Sequence, residues 1–299
     1  MRSRWSLIFC MTLITACSAR QEEGGLSLHG NQGVIYGDNS VRSPRHLTGA
    51  QKDDEQLQHN LQAGVALVDD DSIDAHHDGT LSLDNTSVSE RFNVCPGQPL
   101  ASQPSASFCS GVLVDAKHIL TAGHCLSVEH ACENLHVVFN YDKADRLHVA
   151  PQDHYHCRSS APDASRPQAD LVLVELDRPV QGHRPVEIST ESLSPGVGKE
   201  LYVIGHPLGA PQKIATGQVR KGATAQGLLL TNLDVFFGNS GSPVFEQDTD
   251  RLIGLVSSGE SDFRKNDLKS CLEIKVCTNG GCLGETVDLL RAPGNSKDL

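Results

Sequence analysis

The sequence predicts an all-β fold, either a sandwich or a pair of barrels, and three observations carry that reading. Short apolar runs recur at 63–68, 108–114, 118–121, 135–139, 171–176, 201–204, 228–231 and 252–257. Glycine, proline and asparagine break the chain between nearly all of them. Only brief stretches, such as 53–62, carry a helical pattern. Many short strands with turn residues between them are the signature of sandwiches and barrels.

The bulk numbers narrow the function. A chain of 299 residues has ample core for one large or two small domains. It carries 25 basic against 37 acidic residues, a net charge of -12, which argues against nucleic acid as a partner. Of 10 cysteines, eight fall between Cys95 and Cys282. That density, behind a signal-like start, points to disulfides in an oxidising compartment. No CxxC pair is present to suggest a cysteine zinc site, and neither a metal nor a cofactor is expected.

At the N-terminus, Arg2 and Arg4 precede an apolar stretch over 7–16. This is a secretory signal, too short for a permanent membrane span. The ending Leu13-Ile14-Thr15-Ala16-Cys17 resembles a bacterial lipoprotein box, which makes Cys17 the lipidated residue, 1–16 the signal and the polar 17–33 a tether. Export from a bacterial cell follows, with the protein either anchored at the outer membrane through Cys17 or secreted. Residues 34–39 read as a short strand and turn. Residues 69–78 are acidic, with His76 and His77 beside them, and lack the spacing of a calcium loop; they read as a solvated surface loop. Residues 79–107 are rich in serine, proline and asparagine and read as a long loop or insertion.

Three segments carry candidate chemistry. In Gly238-Asn239-Ser240-Gly241-Ser242-Pro243-Val244, a serine stands on a glycine-flanked turn between apolar runs. Glycine on both sides lets another backbone come close. Leu120-Thr121-Ala122-Gly123-His124-Cys125 ends an apolar run in a histidine. Asp170 precedes the apolar run 171–176, which would anchor its carboxylate at the edge of a core. A serine hydroxyl is a poor nucleophile near neutral pH. It needs an imidazole to take its proton and a carboxylate to orient that imidazole.

Together these segments resemble the trypsin-like serine proteases, in particular their bacterial glutamyl-endopeptidase-like branch. Phe108-Cys109-Ser110-Gly111, Ile204-Gly205-His206-Pro207, the start at Val34-Ile35-Tyr36-Gly37 and the segment 281–285 add to the match, which extends over roughly 34–290. The resemblance implies two six-stranded antiparallel Greek-key β-barrels with the active site in the cleft between them. The first barrel would span about 34–165 and the second about 180–292, within a domain of 34–292; a short C-terminal helix could follow, and 293–299 would be a tail. It implies that His124 is the general base, Asp170 its orienting acid and Ser240 the nucleophile. The N–H groups of Gly238 and Ser240 would form the oxyanion hole. Cys109 and Cys125 would form a disulfide. The other six cysteines allow 15 pairings, of which Cys132–Cys157 and Cys277–Cys282 are suggested by closeness in sequence alone.

The chain also departs from the pattern. In animal digestive relatives an acid precedes the serine and captures the new N-terminus on activation; Asn239 stands there. Val256 replaces the histidine of glutamyl-specific relatives. Asp234, six residues before Ser240, falls where trypsin carries the acid of its specificity pocket, with Ser257, Ser258 and Gly259 as the pocket wall, and would attract Arg or Lys. The alternative places Asp234 at a strand end with no such role. Protein or peptide substrates and a monomeric state are expected. Competing readings are a catalytically idle, protease-shaped binding lipoprotein and an esterase using the same three residues.

Overall fold

A computed structural model describes residues 34–126, 131–164, 166–189 and 195–290. The predicted signal, Cys17 and the tether lie outside the described residues, as do the tail and the segment where a C-terminal helix was expected.

Two closed six-stranded antiparallel barrels form the body of the molecule. The first comprises β1 (Gly64–Asp69), β2 (Cys109–Leu113), β3 (His118–Ala122), β4 (Leu135–Val138), β5 (His154–Pro162) and β6 (Leu171–Leu176). The second comprises β7 (Glu200–Gly205), β8 (Lys213–Lys221), β9 (Leu228–Thr231), β10 (Pro243–Glu246), β11 (Leu252–Ser258) and β12 (Glu285–Leu289). Both close in one order: three consecutive strands, then the sixth, fifth and fourth, the fourth pairing back to the first. The fold is thus mostly β. Closure removes the open strand edges that would otherwise need protection.

The barrel boundaries differ from the expectation. The sixth strand of the first barrel lies at 171–176, beyond 165, because the apolar run there pairs with both β3 and β5. Residues 34–63 are not barrel strands. Ile35 and Tyr36 pair with Val276 and Cys277, and Arg42 bridges to Ile214 on the second barrel. The insertion 79–107 has structure of its own. Its strand Leu81–Leu83 is followed by a helix at Val88–Phe92, started by a Ser87–Glu90 capping box.

Each barrel is filled by inward-facing aliphatic residues. Val65, Leu67, Val112, Ile119, Val137 and Leu171 belong to the first core; Leu201, Val203, Leu229, Val244, Ile253 and Val287 belong to the second. Four disulfides link Cys95–Cys271, Cys109–Cys125, Cys132–Cys157 and Cys277–Cys282. The first joins residues 176 apart and ties the insertion to the hairpin Phe263–Asn266/Cys271–Ile274. Its partners are too distant in sequence for spacing to suggest.

Candidate active site

The site lies where the two barrels meet. β3 ends at Ala122, and the chain turns through Gly123–Leu126, carrying His124. The Cys109–Cys125 disulfide fastens this turn to β2, the neighbouring strand. Asp170 stands immediately before β6, and because β6 pairs with β3 its carboxylate falls under the histidine. A Cβ on residue 123 would press to 2.9 Å from Asp170 Oδ1, so glycine there gives the carboxylate room.

Ser240 comes from the turn before β10. Its carbonyl accepts the Ser110 N–H at 2.9 Å, locking the turn to the first barrel. The Ser110 hydroxyl donates to the Gly238 carbonyl at 2.8 Å and accepts the His206 N–H at 2.9 Å. One small side chain thus positions three segments.

The three side chains form one hydrogen-bonded chain. His124 Nδ1 lies 2.6 Å from Asp170 Oδ2, and His124 Nε2 lies 2.8 Å from Ser240 Oγ. The His124 backbone N–H donates to Asp170 Oδ1 at 2.9 Å. Burial alone would raise the Asp170 carboxyl. The hydrogen bond and charge of the His124 ring, with the N–H groups of His124 and Gly123, outweigh it and hold the group below its ordinary value. With the carboxylate ionised, Nδ1 keeps its proton, and Nε2 presents a lone pair to the serine.

Gly238 adopts φ +87°, a left-handed backbone in which a side chain would be strained. A Cβ there would also collide with the His206 carbonyl and reach 2.9 Å from the Gly209 nitrogen. Among the described residues, neither the Gly238 nor the Ser240 N–H donates to a protein acceptor. Two N–H groups on either side of a serine hydroxyl suit a developing oxyanion.

Asp288 and Arg166 escaped the sequence reading. Asp288 Oδ2 accepts the Asp170 N–H at 3.3 Å, and Ser257 hydrogen-bonds the same carboxyl. Burial, joined by the neighbouring Asp170 charge, raises the Asp288 carboxyl against those bonds. Arg166 pairs with Asp163 at 3.0 Å and donates to the Leu289 carbonyl at 2.6 Å, clamping the loop before Asp170 onto β12. A signal for Asp288 existed in the sequence: it is an acid inside the apolar run Val287-Asp288-Leu289-Leu290.

The acid at position 234 is held by the N-terminal segment. Asp234 is 2% exposed. Its Oδ1 accepts the Tyr36 N–H at 2.6 Å, while Oδ2 accepts the Ser40 N–H at 2.8 Å and the Ser40 hydroxyl at 2.6 Å. Burial raises this carboxyl in spite of the three donors. Both oxygens accept hydrogen bonds from the N-terminal segment. Ser257 and Ser258 close β11, and Gly259 follows them. Asn239 is buried, and its Oδ1 accepts from Ser242 Oγ at 3.1 Å.

Residues 109–255 match the family model of the trypsin-like peptidase domain. The chain is 29% identical to platelet-aggregating proteinase PA-BJ of Bothrops jararaca over 117 residues, 38% of this chain and 48% of that protein. It is 28% identical to protein C activator of Agkistrodon contortrix contortrix over 106 residues, 34% of this chain and 44% of that protein. The chain therefore spans about half the length of the curated relatives it matches. Among solved structures it is similar to neuropsin, a serine protease expressed in the limbic system of mouse brain. That match has a TM-score of 0.48 at 15% identity and covers 77% of this chain and 90% of that one. The matched segment 109–255 contains Cys109, His124, Asp170 and Ser240.

Proposed function

We propose that this chain is an exported serine endopeptidase working through Ser240, His124 and Asp170. The observation that carries the reading is the continuous hydrogen-bonded chain from Asp170 through His124 to Ser240, at 2.6 and 2.8 Å.

In this reaction Ser240 Oγ attacks the scissile carbonyl carbon as its proton passes to His124 Nε2. Proton transfer of this kind contributes about 10²–10⁴ in rate. Asp170 stabilises the imidazolium without taking its proton. The carbonyl oxygen gains negative charge and is held by the N–H groups of Gly238 and Ser240, each such donor being worth about 3 kcal/mol. The intermediate collapses to an acyl-enzyme, and His124 returns the proton to the departing amine. Water then attacks the ester by the same route, freeing the acid and Ser240.

The bacterial glutamyl-endopeptidase-like branch rests on sequence motifs, and preference for Glu has no support because Val256 replaces the histidine. Signal-directed export with a lipid at Cys17 rests on residues 1–17. Four disulfides accord with an oxidising compartment. Cleavage of the tether near Val34 would free the enzyme from its anchor, and N-terminal sequencing of protein from culture medium should then begin there.

A fluorophosphonate probe together with casein tests the main reading. Wild type should be labelled and should degrade casein, and Ser240→Ala should do neither. Equal labelling of both forms would overturn the assignment of Ser240. Labelling and ester cleavage with casein spared would instead make the chain an esterase. A folded wild type that takes no label would be the idle binding protein.

A further inference from the structure

A second cluster of reactive side chains lies on the outer wall of the first barrel. The pairing of β4 with β5 sets His136 directly opposite His156. His154 is two residues from His156 on the same strand and therefore shares its face. Their intervening neighbours, Val137 and Tyr155, point into the core. Three imidazoles thus converge on one face through strand register alone. His136 Nδ1 lies 2.7 Å from His154 Nε2. The ring centroids are 5.0 Å apart for His136–His154, 4.9 Å for His136–His156 and 4.5 Å for His154–His156. One ring nitrogen from each of the three lies within 4.8 Å of the other two.

The surroundings suit a cation. Asp70 Oδ1 lies 2.6 Å from His136 Nε2. A carboxylate there fixes the tautomer with hydrogen on Nε2 and leaves the Nδ1 lone pair facing His154 and His156. Ligating histidines are held in this way. Asp177 sits beside His156, accepting its backbone N–H at 3.1 Å. The nearby cation, Arg178, is paired with Asp177 at 2.9 Å and donates to the Pro151 and His154 carbonyls, so its charge is engaged. The Cys132–Cys157 disulfide staples the segment before β4 to β5 next to His156, which limits the ordering that binding requires. His154 and His156 also line a surface cleft with Gly79, Pro151, Gln152 and Arg178, leaving a path for an ion and room for a water.

We propose that His136, His154 and His156 bind a divalent zinc ion, with a water from the cleft as fourth ligand. Three imidazoles and an open fourth position suit zinc. Zn–N bonds of about 2.0–2.1 Å in a tetrahedral array place ligand nitrogens about 3.3 Å apart. The close His136–His154 pair must open slightly, and the exposed His156 ring must swing in. Binding replaces the hydrogen between His136 and His154, so His154 takes the tautomer with its proton on Nδ1. The other grouping of potential ligands among the described residues, Cys109, His124 and Cys125, is not comparable, because its sulfurs form a disulfide. The proposal is independent of the hydrolytic reading.

Titrating the chelator-stripped full chain with zinc chloride by calorimetry tests it, with cobalt(II) absorption reporting the geometry. One ion per chain is expected, with visible tetrahedral cobalt bands and a raised Tm. His156→Gln alters an exposed side chain and should weaken binding by about 100-fold or more while leaving fluorophosphonate labelling intact. Asp70→Asn, which acts through His136, should weaken it by about 10-fold. His124→Gln should bind as wild type does. The proposal fails if wild type binds no zinc. It also fails if binding survives His156→Gln undiminished, or if binding is lost in His124→Gln.

Discussion

Replacing Asp170 with asparagine isolates what the carboxylate does for His124. In the structure Oδ1 accepts the His124 N–H at 2.9 Å and Oδ2 faces Nδ1 at 2.6 Å. Asparagine offers one acceptor and one NH₂ donor, so only one of these contacts can persist. With the amide oxygen kept under the backbone N–H, the NH₂ points at Nδ1. The ring then answers with a lone pair, and its proton moves to Nε2, facing Ser240. In the opposite orientation two donors meet 2.9 Å apart, which costs about 1–3 kcal/mol for the unsatisfied groups. The first arrangement wins, and in it Nε2 cannot take the serine proton. The expected fall is about four orders of magnitude in acylation, or about 5 kcal/mol of transition-state stabilisation at 1.36 kcal/mol per decade. The second-order rate of fluorophosphonate labelling measures this step directly, with Tm as the check on folding. An Asp170→Asn rate within about tenfold of wild type, at unchanged Tm, would refute the tautomer argument.

Two further predictions follow from buried charges elsewhere. Lys213 is buried and donates to the Pro211 carbonyl at 2.5 Å; burial, with the charge of Arg45, lowers its ammonium from 10.5 to about 7. Between those values the unfolded chain binds a proton that the native state does not, so stability should rise with pH from about 7 to 10, by up to about 1.4 kcal/mol per pH unit. Lys213→Met should flatten that rise in denaturation curves, and an unchanged slope would show that the lysine is not the source. Asp234→Asn should speed hydrogen exchange at the Tyr36 and Ser40 amides while leaving the ranking of Arg, Glu and Leu peptide substrates unaltered. A selective loss of Arg cleavage would return Asp234 to the substrate pocket.

The sequence was most legible where chemistry and strand pattern coincide. The histidine and the aspartate each sit at the end of an apolar run, and β3 and β6 pair, so the residues flanking those runs had to meet. The serine turn was legible because glycine brackets it. Strand register was harder to read. His136 and the pair His154 and His156 lie in unremarkable sequence, and only the opposition of β4 to β5 brings them together. Asp288 stands out as an acid in an apolar run, but its partner Asp170 is 118 residues away, so its place at the site was not legible. The Cys95–Cys271 disulfide depends on an insertion whose path no local pattern encodes.

Asp234 shows what a position alone leaves open. Counting six back from the serine reaches an acid beneath the site, but the role of a buried carboxylate is set by the donors that reach it. Here the donors are the backbone of Tyr36 and the backbone and hydroxyl of Ser40. Asn239 cannot pair with a charged N-terminus, and the segment after Val34 is instead held through its amides by Asp234. A backbone amide donates whether or not the chain has been cut before Val34. This anchor therefore does not depend on a new α-amino group. Comparing labelling of the uncut and trimmed chains separates the two mechanisms. Equal rates are expected, and a large gain on trimming would mean that a free N-terminus is needed after all.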